Sequence, residues 1–272
     1  MFCSTDKSCR TNRALLVSVT DFYPGVALSR RPGAKKDTKR LHNVLSKLGF
    51  KVLLVNDPTA REMCEMFKAA SEQVIEDCFL GVISSHGEEG MVFGADGGIV
   101  KLPHIFSMFD SSAMNRKTKL FFIQACRGRD LDPGVEVDTD SVADEKDKDS
   151  FSHCLSIPIN TAVGFATSPG YSAFMHPLGS VFLQTLCDLL EKDGGRDLEV
   201  TQLLTRLNHC VAYKFQARGR ELAGKKEMPC FVSRLTCQLF PFASKQGPQK
   251  AKEDSFKCLT DEPRRIRKHS IS

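Results

Sequence analysis

Two short stretches pair a nucleophile with a proton carrier. "FFIQACRG" (121–128) closes an apolar run on Cys126, and "SSHGEEG" (84–90) presents His86 behind another. A thiol titrates near about 8.5 and attacks carbonyls as the thiolate, so at neutral pH it needs a base. An imidazole can take that proton and later hand it to the leaving amine. The tetrahedral intermediate also needs N–H donors for its oxyanion. Gly87 carries no side chain to block its own N–H, and the N–H of Cys126 can supply the second donor. Taken singly, Cys126 reads as a packed core sulfur and His86 as an ordinary loop histidine. Their joint placement at two strand ends favours a Cys/His catalytic pair.

The surrounding pattern must bring those ends together. Strand-like runs ("ALLVSV", "KVLLVND", "CFLGVISS", "KLFFIQ", "TAVGFAT", "CFVSRLTCQLF") alternate with helix-like ones. In "KKDTKRLHNVLSKLGF", Leu41, Val44, Leu45 and Leu48 share one helical face. "TAREMCEMFKAASEQV", "LPHIFSMFD", "GSVFLQTLCDLLEK" and "LEVTQLLTRLNHCVAYKF" are the other helical segments. "MVFG" and "GIVKL" flank "ADG" as a hairpin. Near-continuous apolar strands separated by helices predict one α/β domain. Its mostly parallel central sheet of about six strands is covered by helices on both faces. Such sheets gather functional groups at the carboxyl ends of their strands, which is where His86 and Cys126 fall.

The 272 residues are 41% hydrophobic and 26% charged, ordinary for a globular chain. No apolar stretch is long enough to span a bilayer, and "MFCSTDKSCRTNR" lacks the apolar core of a secretory leader. A cytoplasmic protein is expected, with no membrane partner. Eleven scattered cysteines without a CxxC pair predict reduced thiols and no metal site. Residues 129–149 hold nine acids against three bases and carry Pro133 and Gly134, so an exposed loop is expected there. The segment 243–272 is basic and ends "RRIRKHSIS", expected to be disordered, with nuclear entry an alternative use. It has no aromatic interleaving, so no nucleic-acid partner is expected. The glycines at 87, 90, 94, 97 and 98 make neither GxGxxG nor a P-loop, so a nucleotide-binding protein is poorly supported. No cofactor is expected.

"QACRG" (124–128), with His86 forty residues upstream, resembles the active-site signature of the caspases. The likeness runs from about Asn12 to Phe242. "GKKEMPCFVSRLTCQLF" is similar to the closing segment of executioner-type members, and "TSPGY" to the start of their substrate loop. The short stretch before the first strand also fits an executioner better than an initiator. The resemblance implies a cysteine endopeptidase cutting after aspartate in apoptosis or a related cascade. Its protein substrates would meet a homodimer, or a heterodimer with related caspases. On matching positions Cys126 is the nucleophile and His86 the acid/base. Gly87 and Cys126 form the oxyanion hole, and Arg31 and Gln124 line the pocket for the substrate aspartate. The zymogen would be cut in its acidic loop, at Asp138 closing "VEVD" or at Asp140 or Asp144. The implied organisation is a short N-terminal segment (1–12), a large portion (13–128), a processing linker (129–153), a small portion (154–242) and the tail (243–272).

The substrate loop departs from the family pattern. It reads "GYSAFMHPLGSVF", with Ser172 at a usually aromatic position, Phe174 in place of the aromatic and Met175 where an arginine is usual. No Arg or Lys lies between Val163 and Leu190. A guanidinium offers a carboxylate two charge-assisted bonds, and a thioether offers none. Three readings stay open: weakened aspartate selectivity, preference for a less charged residue, or a catalytically poor homologue that regulates active relatives by binding.

Overall fold

The computed structural model describes residues 12–134, 156–192, 194–218 and 222–243. Asp138, Asp140 and Asp144, the linker around them and almost all of the tail lie outside these described residues.

The first half of the chain alternates strand and helix: β1 (Arg13–Ser18), α1 (Ala34–Lys47), β2 (Lys51–Asn56), α2 (Ala60–Ser71) and β3 (Cys78–Ser84). A small three-stranded sheet follows from β4 (Gly87–Glu88), β5 (Met91–Phe93) and β6 (Ile99–Lys101), then α3 (Leu102–Ser107) and β7 (Thr118–Gln124). The second half holds β8 (Thr161–Phe165), the hairpin β9 (Met175–His176) and β10 (Gly179–Ser180), α4 (Val181–Glu191), α5 (Val200–Lys214) and β11 (Cys230–Ser233). Six strands form the main sheet in the order β11–β8–β7–β3–β1–β2. All are parallel except β11, which runs antiparallel to β8. The expected six-stranded, mostly parallel architecture is the one observed.

Alternation along the strands explains why both faces are covered. In β1, Ala14 and Leu16 point into one apolar layer while Leu15 and Val17 point into the other. In β7, Leu120 and Phe122 are split from Phe121 and Ile123 in the same way. Strands apolar at every position cannot leave a face to water. The first layer is completed by Leu41 and Leu45 of α1, Leu186 of α4 and Leu207 of α5. The second is completed by Phe67 of α2 and by Ile105 and Phe106 of α3. Each such side chain contributes roughly 1.5–3 kcal/mol through burial. Local signals set the helix boundaries: Thr59 and Glu62 close a reciprocal capping box on α2, which ends at Ser71 rather than continuing through Val74.

"CFVSRLTCQLF" was expected as one strand, but only Cys230–Ser233 pairs with β8. The sequence also gave no warning of the two-residue strands β9 and β10, which are too short to carry a periodicity. For the site, the decisive feature is register. Ser18 of β1 pairs with Ser84 of β3, and Ser84 pairs with Gln124 of β7. The three central strands therefore finish in one row, beside the point where the chain leaves β2 at the edge and returns on the other side of β1.

Candidate active site

His86 and Cys126 each lie two residues beyond that row. The backbones stay together past the strands, since Ser85 N–H donates to Gln124 O at 3.1 Å. A Cβ added at Gly87 would stand 3.0 Å from Ala125 Cβ and 3.2 Å from Cys126 O, and 2.6 Å from Met91 O. Only glycine fits this approach, and it sets the His86–Gly87 turn directly against the Ala125–Cys126 backbone.

The imidazole is held on two sides. Phe22 stacks on it with ring centroids 5.4 Å apart. Its Nε2 lies 2.8 Å from the Ser29 carbonyl and 3.3 Å from Ser29 Oγ. A carbonyl can only accept, so Nε2 carries the hydrogen and Nδ1 keeps its lone pair. Burial pushes the His86 pKa below its usual value; the bond to Ser29 opposes this and the Arg31 charge adds to it. The ring is thus a neutral base near pH 7. The Cys126 thiol is partly exposed, with Ala173 across one side: Ala173 N–H reaches Sγ at 3.4 Å, and Sγ lies 3.8 Å from Ala173 O. The hydrogen bonds of His86 go to Ser29 and those of Cys126 to Ala173.

Arg31 and Gln124, the residues expected to line an aspartate pocket, are both buried. Arg31 is 5% exposed, and its guanidinium already donates to Val19 O at 2.6 Å and to Ser84 Oγ at 3.0 Å. Burial pushes its pKa down to about 10, against the favourable charges of Asp37 and Cys126, so it stays a cation at neutral pH. Gln124 is buried beside Ser84 in the sheet, its Oε1 without a hydrogen-bond partner among the described residues. Met175 sits close by: a Cβ at Gly33 would meet Met175 Sδ at 2.7 Å and His176 O at 2.0 Å. The thioether therefore lies against the turn two residues after Arg31. Phe174 packs its ring on Phe215 at 5.1 Å, and Ser172 Oγ donates to Gly128 O at 3.2 Å. Exposed His176 accepts the Leu178 N–H on Nδ1.

Three residues here escaped the sequence analysis. Asp37, inside a charged helical stretch, is fully buried and accepts from Ser180 N–H at 2.9 Å and from Gln184 Nε2 at 2.8 Å. It joins the Arg31 segment to the β9–β10 hairpin. Arg127 grips Glu89 through two nitrogens at 2.7 and 3.0 Å, and its guanidinium lies 4.2 Å over the Phe165 ring. Its backbone N–H donates to Tyr171 O, tying the residue after the thiol to the loop. Glu227, fully buried, accepts the Phe174 N–H. The signals for Arg127 and Glu89 were present inside "ACRG" and "HGEEG"; nothing in "GKKEMP" announces a buried carboxyl.

A family model described as Caspase domain matches residues 11–240. The chain belongs to the caspase family. It is 34% identical over 241 residues to caspase-7 of Gallus gallus, covering 85% of this chain and 77% of that protein. It is 33% identical over 235 residues to caspase-3 of Bos taurus, covering 83% and 82%. Among solved structures, the caspase-1 of Spodoptera frugiperda superposes with a TM-score of 0.74 at 28% identity, over 87% of this chain and 93% of that one. Among the described residues no cluster of His, Cys, Asp and Glu could hold a metal ion. No helix among them is long and apolar enough to cross a membrane.

Proposed function

We propose that this caspase-family chain is a cysteine endopeptidase in which Cys126 attacks the substrate carbonyl and His86 moves the proton. The observation that carries this reading is the 2.8 Å contact of His86 Nε2 with Ser29 O, which assigns the ring hydrogen to Nε2. Its Nε2–H is spent on Ser29 O, leaving a basic Nδ1 at the end of β3, while Gly87 lies flush on the backbone of Cys126 at the end of β7. Nδ1 takes the thiol proton, and the thiolate adds to the carbonyl carbon. The N–H groups of Gly87 and Cys126 receive the oxyanion, and the imidazolium then protonates the leaving amine. Water releases the acyl group by the same route in reverse.

Aspartate before the cut would be read by Arg31 and Gln124, with selectivity weakened because Met175 stands beside them without a charge. A binding role toward active relatives is favoured by one observation, the near-complete burial of Arg31, which leaves little of the pocket open. Processing would fall at Asp138, Asp140 or Asp144, separating a large portion (13–128) from a small one (154–242). The outer edge of β11, paired only with β8 among the described residues, suits association with a second chain. We place the protein in the cytoplasm, acting on protein substrates in apoptosis or a related cascade.

Purified protein incubated alone tests the assignment by mass mapping of its fragments. The wild-type chain is expected to be cut within 138–144 and the Cys126→Ser chain to stay whole. Equal cutting of both overturns self-processing through this thiol.

A further inference from the structure

The segment that brings Ala173 to the thiol and Met175 to the Arg31 turn is held from one side by a single carboxyl. Glu227 is 0% exposed. Its Oε2 accepts the N–H of Phe174, the residue between those two, at 2.7 Å. Its Oε1 is buried and has no hydrogen-bond partner among the described residues. A buried carboxyl that satisfies one oxygen and orphans the other is costly, and far more so when ionised.

We propose that Glu227 is a positioning residue for the substrate loop, holding Ala173 against Cys126 and Met175 against Gly33 through the backbone of Phe174. This rests on the reading of residues 173–175 as the substrate loop. The titratable groups on the surrounding segments do not neutralise it. Lys226 spends its ammonium on Phe215 O at 2.9 Å and Ala212 O at 3.5 Å. Arg127 is clasped by Glu89 and also donates to the Cys230 sulfur, and Asp132 accepts the Gly134 N–H. Lys214, on the last turn of α5, and Tyr171, in the loop itself, form no hydrogen bond with Glu227 among the described residues. Burial therefore dominates and pushes the Glu227 pKa up to about 8, opposed only by the Phe174 N–H.

The sign follows from linkage. With the loop seated the carboxyl titrates near 8; with the loop lifted and the carboxyl hydrated it returns toward the ordinary value of 4.5. Seating is strongest below the lower value. It weakens as pH rises, by up to about tenfold per unit, and levels off above the higher one. Glutamine has the same shape and an acceptor for Phe174 but cannot ionise, so Glu227→Gln should hold the loop equally at all pH.

Amide hydrogen exchange of the full chain, read on peptides covering 169–180 and corrected for intrinsic rates, tests this without requiring turnover. The opening of this loop in wild type relative to Glu227→Gln is expected to rise at least about threefold from pH 6 to pH 8, while core peptides of β3 and β7 do not diverge. An identical pH response in the two proteins overturns the proposal. On a turned-over peptide, the KM ratio of wild type to variant should rise over the same range with kcat little changed. Changes confined to kcat would also overturn it. Absence of turnover would count against the peptidase reading alone, because the exchange measurement still decides the role of Glu227.

Discussion

Replacing His86 by glutamine is expected to lower kcat by about 10²- to 10⁴-fold, the range a positioned acid/base supplies. The loss follows from geometry: Nδ1 is left as the basic nitrogen of the ring, since Nε2–H is committed to Ser29 O at 2.8 Å. Phe22 stacking and Ser29 bonding fix the ring, so glutamine can fill part of the space without carrying the proton. The pH profile gives a second signature. Burial lowers the His86 pKa from 6.5, so the wild-type acid limb of kcat/KM should lie below that value and disappear in the variant. The same shift makes a stability statement. A histidine whose folded value is depressed contributes nothing adverse above 6.5 and loses stability as pH falls through its folded value. Chemical denaturation of wild type and variant at pH 5 and pH 7.5 should therefore show the variant gaining relative stability at the lower pH.

Restoring a cation in the pocket is the second large effect. Met175→Arg should raise kcat/KM for aspartate substrates by about 10- to 1000-fold, since charge-assisted bonds contribute roughly 1.5–3 kcal/mol each. Met175 Sδ already lies against the Gly33 turn, two residues from Arg31, so a side chain from this position reaches the right neighbourhood. Arg31 alone is poorly placed to compensate, because two of its N–H groups are spent on Val19 O and Ser84 Oγ. Without a substrate carboxylate the new arginine would add a like charge near Arg31, whose own favourable charge partner is buried Asp37. The gain should therefore appear for aspartate and vanish for asparagine at the same position. Equal gains for both, or none, would place the loop elsewhere.

The placement of His86 and Cys126 just past two neighbouring strand ends was legible because two apolar runs end abruptly on chemistry-bearing residues, and a parallel sheet gathers such ends. Leu15, Val17, Ile83 and Ile123 announce the sheet through their apolar runs, and a mostly parallel sheet of about six strands followed from the alternation of strand and helix. What fixes His86 was not legible: its partner is the backbone carbonyl of Ser29, and every residue has a carbonyl. Asp37 sits in a run of charged residues that opens α1, yet it is fully buried and bonded by Ser180 and Gln184, which arrive from far along the chain. Glu227 stayed hidden for the same reason, since burial is a property of the assembled fold. The hairpin of β9 and β10 is two residues a side, below the length at which any period shows. Met175 was the exception, conspicuous in sequence because the resemblance leads one to expect an arginine at its position.

Bond cleavage through the Cys126 sulfur is addressed directly by one measurement. Folded wild-type and Cys126→Ser proteins are incubated with a peptide library varied at the residue before the cut, and products are quantified by mass spectrometry. Hydrolysis by wild type is expected, with aspartate favoured only weakly, and none by the serine variant. Equal hydrolysis by both proteins, or none by correctly assembled wild type, would contradict it.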